Sequence, residues 1–225
     1  MVIRSSCITA SQRVTYRQFD VEDHAQVLRL MADTVTEVGV PDVLINCAGR
    51  AIPNYFEQIT YEQFAETLRV NLHGCWNTVS ALLPHMKARG CYIVNTASLA
   101  GLIGVFGYTD YCAAKFAIVG FSEALRSELK AYNIVVSVLC PPDTDTPGFA
   151  AENQTKPVET RAVSSSARVL SADAVADALL AGMAKRSLLI VPGLEGRLAL
   201  VAKRVWPRLV ERVMDRQIRR SRAPR

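Results

Sequence analysis

The stretch Asn95–Lys115, NTASLAGLIGVFGYTDYCAAK, decides how this chain is read. It places Ser98 thirteen residues before Tyr111, and Lys115 four residues after it. On a helix, positions i and i+4 share a face, so Tyr111 and Lys115 would stand side by side. A phenol titrates near 10, and an adjacent ammonium favours the phenolate and lowers that value. Such a phenol can pass a proton to or from an alcohol or carbonyl oxygen near neutral pH, and the Ser98 hydroxyl can hydrogen-bond the same oxygen. Tyr-x-x-x-Lys taken alone is also a spacing that chance supplies. Its meaning depends on what flanks it.

Immediately upstream, Cys91–Thr96 (CYIVNT) is a short apolar run after Gly90, which reads as a buried strand. Further upstream, Asp42–Asn46 (DVLIN) has the same character and leads into Cys47-Ala48-Gly49. Between the two, Thr60–Met86 reads as a long helix or a pair of helices, with Thr60 and Gln63 in capping-box relation. At the start, Val14–Phe19 (VTYRQF) alternates like a strand and ends at Asp20. Residues 21–38 follow with Val27, Leu28, Leu30, Met31 and Val35 at helical spacing, and Asp20 is placed to cap that helix.

Downstream, the helix carrying Tyr111 should run to about Tyr132, and Ile134–Leu139 (IVVSVL) is a further buried strand. Pro141–Arg161 is polar and rich in Pro, Asp and Thr, and reads as a long loop or lid. A helix over Ser171–Lys185, capped by Ser171, and a last strand Leu188–Val191 complete the pattern. Strands alternating with helices predict an α/β fold on a parallel sheet.

Half of the 225 residues are hydrophobic and 21% are charged, which suits one globular domain. No run of eighteen apolar residues suggests a membrane span, and MVIRSSCITASQ lacks a signal-peptide shape. The six cysteines contain no Cys-x-x-Cys pair, which argues against a zinc site and a disulfide framework and for a reducing, cytoplasmic setting. The net charge of +5 is uneven: ten basic and two acidic residues from Arg197 onward give that tail +8 and leave the rest mildly acidic. No nucleic-acid motif accompanies the charge.

Asn46-Cys47-Ala48-Gly49 after a strand, Asn71 in a long helix, Ser98 after the next strand, then Tyr111-x-x-x-Lys115, together resemble the short-chain dehydrogenase/reductase family. The resemblance spans about Asp20 to Gly193 and implies a Rossmann-type, doubly wound parallel sheet that binds NADP(H). It implies that Tyr111 protonates a carbonyl oxygen as hydride arrives, that Lys115 lowers its pKa and holds the nicotinamide ribose, that Ser98 polarises the carbonyl, and that Asn71 holds a relay water. Asn46, Ala48 and Gly49 would lie under the cofactor, Asp20 would receive the adenine amino group, and the Val21 N–H would bond the ring. The bland readings are a turn residue for Asn46 and a helix cap for Asp20.

A narrower resemblance lies in Pro141–Pro157, PPDTDTPGFAAENQTKP, with Phe106–Thr109 and Phe116–Ile118, which look like those of 3-ketodihydrosphingosine reductases. It implies a lipid-like ketone substrate and places Pro141, Thr144 and Thr146 beside the nicotinamide amide and pyrophosphate. One element of the family is absent: no Thr-Gly-x-x-x-Gly-x-Gly loop precedes Asp20, and the first glycine is Gly39. The expectation is therefore a sheet truncated at its N-terminus, lacking its first strand and glycine-rich loop, with weak binding of NADPH.

The expected organisation is a catalytic domain over residues 1–195 and a basic amphipathic tail over 196–225. In the tail, Leu198, Val201, Val205, Trp206, Leu209, Val213 and others alternate with basic residues at helical spacing, with Pro207 breaking or restarting the helix. That pattern suits either an anionic membrane surface at the cytoplasmic face, or a helix covering the protein's own core. The family resemblance also implies a homo-oligomer through the helices near 60–86 and 108–132.

Overall fold

The computed structural model describes residues 13–165 and 168–222. In chain order these form α1 (His24–Glu37), β1 (Val43–Asn46), α2 (Tyr61–Leu68), α3 (Gly74–Met86), β2 (Cys91–Thr96), α4 (Thr109–Leu129) and β3 (Ile134–Leu139). There follow β4 (Thr144–Asp145), α5 (Pro147–Thr155), α6 (Val158–Ser164), β5 (Leu170–Ser171), α7 (Ala172–Ala184), β6 (Leu189–Ile190), α8 (Leu194–Val205) and α9 (Pro207–Arg222). Four parallel strands lie in the order β1-β2-β3-β6, while β4 and β5 form a separate parallel pair.

The central strands explain their own sequences. Ile93, Val94 and Val138 are 0% exposed and Val136 is 1%, so β2 and β3 are apolar on both faces because both are covered. Ile93, Ile134 and Val136 pack against Val79, Leu82 and Met86 of α3 and Leu125 and Leu129 of α4, with Met31 and Val35 of α1 at the margin. On the opposite face, Val94, Leu139 and Ile190 meet Val175, Leu179 and Met183 of α7. Each such side chain contributes about 1.5–3 kcal/mol when fully buried. Helices on both faces of a parallel sheet make the doubly wound arrangement expected.

β1 is different. Val43 and Ile45 stand in register with Tyr92 and Val94, so they point to the face that α7 covers farther along. They are 42% and 46% exposed, while Leu44, in register with Ile93, packs on the other cluster.

Several local expectations are corrected. The alternating segment 14–19 has no regular structure, and Val14 and Tyr16 are exposed. Alternation predicts which faces a strand would show, but a strand exists only when its N–H and C=O groups find a ladder partner. Asp20 does not cap the first helix: Asp23 does, accepting the Gln26 N–H at 2.9 Å. The polar stretch 141–161 is not a plain loop but holds β4, α5 and the start of α6. Thr146 caps α5 by accepting the Phe149 N–H, and Pro147 sits in its first turn, where a missing N–H costs nothing.

Thr60 does cap α2, but Gln63 does not reciprocate; its amide reaches Ile52 O and Asp110 Oδ2. A π-helical turn, Arg69–His73, joins α2 to α3. The basic C-terminal stretch is α8 and α9, which part at Trp206-Pro207. α8 joins the body through Leu200, in the cluster around Ile118 and Val138, and Arg222 at the end of α9 ion-pairs with the buried Glu159 of α6 at 2.5 Å. No helix among the described residues is long and apolar enough to cross a membrane.

Candidate active site

The site is built where β2 ends and α4 begins. Asp110, fully buried in the first turn of α4, accepts from Thr67 Oγ1 at 2.7 Å and from the Tyr111 N–H at 2.8 Å. It fixes α2 to the start of α4 and so sets where Tyr111 stands. One turn on, Lys115 is 3% exposed, and its Nζ lies 5.4 Å from the Tyr111 ring centroid and donates to Thr96 O at 2.9 Å. Burial lowers the Lys115 pKa to about 8.

Ser98 follows β2, and its Oγ accepts the Ala100 N–H. The loop it heads lies directly on α4: a Cβ on Gly101 would come within 2.7 Å of Lys115 O. Burial pushes the Tyr111 phenol above its ordinary value, and hydrogen bonding to Ser98 is the influence that lowers it. The nearby carboxylates of Glu152 and Asp143 push it up further. The Lys115 ammonium meanwhile donates to the Thr96 carbonyl.

Asn71 lies in the π-helical turn, an irregularity frequent at functional sites. Its Nδ2 donates to Arg50 O and Thr67 O, both at 2.9 Å, and its buried Oδ1 has no partner. A Cβ on Gly49 would lie 2.6 Å from that Oδ1 and 3.3 Å from Lys115 Nζ, so the glycine keeps a close approach open. A cleft of about 150 Å³ leads away from this point, lined by Val21, Asn46, Ala48, Asn71 and Thr96 among others. The Asn46 amide donates to Asn95 Oδ1 at 2.9 Å and accepts from Thr78 Oγ1 at 2.6 Å, tying the end of β1 to β2 and α3.

Val21 closes against Gly74 of α3, and its carbonyl accepts from Asn77 Nδ2 at 2.8 Å. Asp20 is exposed just outside, with one carboxylate oxygen accepting the Glu22 N–H. Pro141 O accepts the Leu99 N–H at 3.0 Å, which brings the 141–146 segment to the Ser98 loop. The Thr144 and Thr146 hydroxyls bond within that segment, to Pro142 O and Thr144 O. The structure therefore brings Ser98, Tyr111, Lys115, Asn71 and Gly49 together. Asn46, Ala48 and Val21 line the adjoining cleft, and Asp20 stays at the surface.

Residues 3–157 match the short chain dehydrogenase family. The chain belongs to the short-chain dehydrogenases. It is 42% identical over 156 residues to the 3-dehydrosphinganine reductase of Danio rerio, a match covering 69% of this chain and 47% of that protein. It is 40% identical over 176 residues to the 3-ketodihydrosphingosine reductase of Bos taurus, covering 77% and 53%. The chain thus spans about half the length of these curated relatives. Among solved structures, a short chain dehydrogenase from Burkholderia cenocepacia in complex with NADP superposes with a TM-score of 0.74 at 20% identity, covering 88% of this chain and 76% of that one.

Two groups at this short-chain dehydrogenase site escaped the sequence reading. Asp110 adjoins Tyr111, and an acid in a helix's first turn was a signal available to find it. The second group is Tyr108, Asp143, Glu152 and Lys156. The Tyr108 hydroxyl donates to Glu152 Oε1, and Lys156 Nζ lies 3.1 Å from Glu152 and 3.7 Å from Asp143. The run Glu152–Pro157 was noted only as part of a likeness, because its chemistry arises from contact with residues far away in the chain.

Proposed function

We propose that the chain reduces a ketone to a secondary alcohol with NADPH, and that the ketone is 3-ketodihydrosphingosine, reduced to dihydrosphingosine. The observation that carries the reading is the meeting of Ser98, Tyr111 and Lys115 beside an unpartnered Asn71 Oδ1 and a glycine whose Cβ would obstruct both. The substrate rests on the two relatives with that activity in their names, at 42% and 40% identity.

The residues at this end fit the nicotinamide ribose. Gly49 permits close approach, Lys115 offers a cation, and Asn46, Ala48 and Val21 line the cleft leading away. Asp20 and the Val21 N–H would meet the adenine, and Pro141, Thr144 and Thr146 the nicotinamide amide and pyrophosphate. When bound, NADPH supplies a hydride to the carbonyl carbon. Tyr111 donates its phenolic proton to the carbonyl oxygen, and a phenol held protonated by burial suits that direction. Ser98 donates a hydrogen bond to the same oxygen and holds it against Tyr111. Lys115 then stabilises the phenolate left behind, and Asn71 Oδ1 accepts from a water that carries the replacement proton toward Lys115.

The test is NADPH consumption with the long-chain amino ketone at saturating, millimolar NADPH, following dihydrosphingosine by mass. Turnover of a different ketone, with none of this one, would refute the substrate.

A lipid substrate needs a route from a bilayer, and the α8–α9 pair supports one. Leu198, Val201, Val205, Trp206, Leu209 and Val213 are each at least half exposed among basic residues, the composition of a helix lying at an anionic membrane surface. We place the protein peripherally on the cytoplasmic face. Trp206→Glu with Leu209→Glu should abolish pelleting with phosphatidylserine vesicles, and unchanged pelleting would overturn this. Exposed Trp76 and Phe116 on α3 and α4 support pairing of these helices with a second copy, which sedimentation velocity would detect.

A further inference from the structure

Beside Tyr111 lies a group of charges that the proton transfer does not use. Tyr108, whose ring centroid is 5.7 Å from that of Tyr111, donates its hydroxyl to Glu152. Asp143 joins from the segment after β3, and Lys156 from the junction of α5 and α6. The two carboxylates retain 17% and 27% of their side-chain surface, for Glu152 and Asp143 respectively, while Lys156 is only 1% exposed beneath them. Its Nζ lies within ion-pair distance of both, at 3.1 and 3.7 Å, and over the Phe149 ring at 4.2 Å. Yet that Nζ makes no hydrogen bond of ordinary geometry.

This is a poor design for a purely structural ion pair. A buried pair offsets the cost of desolvation only when its donors and acceptors close on one another. Here two carboxylates and one ammonium carry a formal charge of −1, and the ammonium keeps unmet donors. The excess negative charge also works against Tyr111, since Glu152 and Asp143 both oppose ionisation of the phenol. A cation arriving beside the carboxylates would remove that opposition when the phenol gives up its proton. A protonated amine beside the reacting carbonyl is such a cation.

We propose that Glu152 and Asp143, backed by the buried Lys156 and oriented by Tyr108, form the subsite that recognises the amino head of the substrate, the carboxylates taking a protonated amine next to the reacting ketone. The proposal rests on the reading of the site as a ketone reductase and adds how it selects among ketones. Glu152 and Asp143 are specificity residues: they touch substrate but take no part in the proton transfer. Ketones without an amine lose the charge-assisted bonds, and N-acylated ones bring a neutral amide to an anionic pocket.

The test is direct binding by calorimetry at about pH 7 with two soluble probes, the eight-carbon 2-amino-1,3-diol and its N-acetyl derivative. The wild-type chain should bind the free amine ~10-fold or more tightly than the amide, the range set by one or two charge-assisted bonds. Glu152→Gln should bring that ratio close to one. Because Glu152 also ties α5 to Tyr108, circular dichroism checks its fold, and Asp143→Asn, at a more exposed position, provides a second variant with a reduced ratio. Equal binding of the two probes by the wild type, binding of neither, or full discrimination retained in both variants overturns the subsite. NADPH turnover separates this from the broader reading: reduction of the amino ketone and its N-acetyl form with equal kcat/KM keeps the reductase and removes the subsite. Amine discrimination in binding, with no reduction of any ketone, keeps the subsite and removes the reductase.

Discussion

The two ends of the active-site groove are built to different standards. At the β2–α4 end, every group around Tyr111 is positioned by something buried. Asp110 and Thr67 hold the helix start, Gly101 seats the Ser98 loop on α4, and Lys115 is held by the Thr96 carbonyl. At the β1 end, Val43 and Ile45 are nearly half exposed, Asp20 is exposed, and residues 13–19 before it have no regular structure. On the proposed reading, the groups for proton transfer stand on one helix, one strand end and one irregular turn packed on the central strands, while those that would meet the dinucleotide lie along β1 and its surroundings.

Breaking the packed end should have the largest effect. Tyr111→Phe removes the proton donor and should reduce turnover about 10²–10⁴-fold with little change in melting temperature. A residual rate near wild type would mean that another group supplies the proton. Gly49→Ala sits where the two ends meet. Its Cβ would press on Asn71 Oδ1 at 2.6 Å, so we expect at least ~10-fold weaker NADPH binding from this overpacking, with a stability loss of about 1–3 kcal/mol. NADPH fluorescence and thermal melts check the two parts separately.

Stability should sharpen the contrast between the strands. Val136→Ala, at a position 1% exposed between two covered faces, should cost about 2–3 kcal/mol in urea unfolding. Ile45→Thr, at 46% exposure in β1, should stay within about 0.5 kcal/mol. Comparable losses at both positions would show that β1 is covered in solution.

The smallest effect is one of pH. Lys115 has a folded pKa of about 8, lowered by burial from 10.5. Above pH 8 the unfolded chain therefore binds more protons at this group than the folded one, and its contribution makes stability rise with pH. One group gives at most about 1.4 kcal/mol per pH unit. Burial raises the thiols of Cys75 and Cys140 to about 12, that of Cys91 to about 11, and that of Cys112 as well, so their folded forms hold protons that the unfolded forms lose around pH 9, and their contribution falls as pH rises. From pH 8 to 9 the Lys115 contribution offsets the fall that the thiols impose, so Lys115→Met should lose more stability than the wild type over that interval and be more stable at pH 7, and an identical profile in the two would contradict the burial of a charged Lys115.

The sequence was most readable where chemistry and local spacing coincide. Tyr111 and Lys115 share a helix face by arithmetic, and the apolar runs of β2 and β3 announce strands covered on both sides. It was least readable where contact joins distant residues. The alternation of 14–19 promised a strand but the segment takes no regular structure, and the polarity of 141–161 hid two helices, although Thr146-Pro147 is a helix-start signal. Asn71 could be matched by order along the chain, but not its place in a π-helical turn with a free Oδ1. Asp143, Glu152 and Lys156 gained meaning only when the fold set them beside Tyr108.

The most direct test is the conversion of 3-ketodihydrosphingosine by the wild-type chain and by Tyr111→Phe, each at saturating NADPH, with dihydrosphingosine followed by mass. The account predicts product from the wild type and a loss of at least ~10²-fold in the variant, with both proteins folded. No product from the wild type at any NADPH concentration, or equal product from the two, would contradict it.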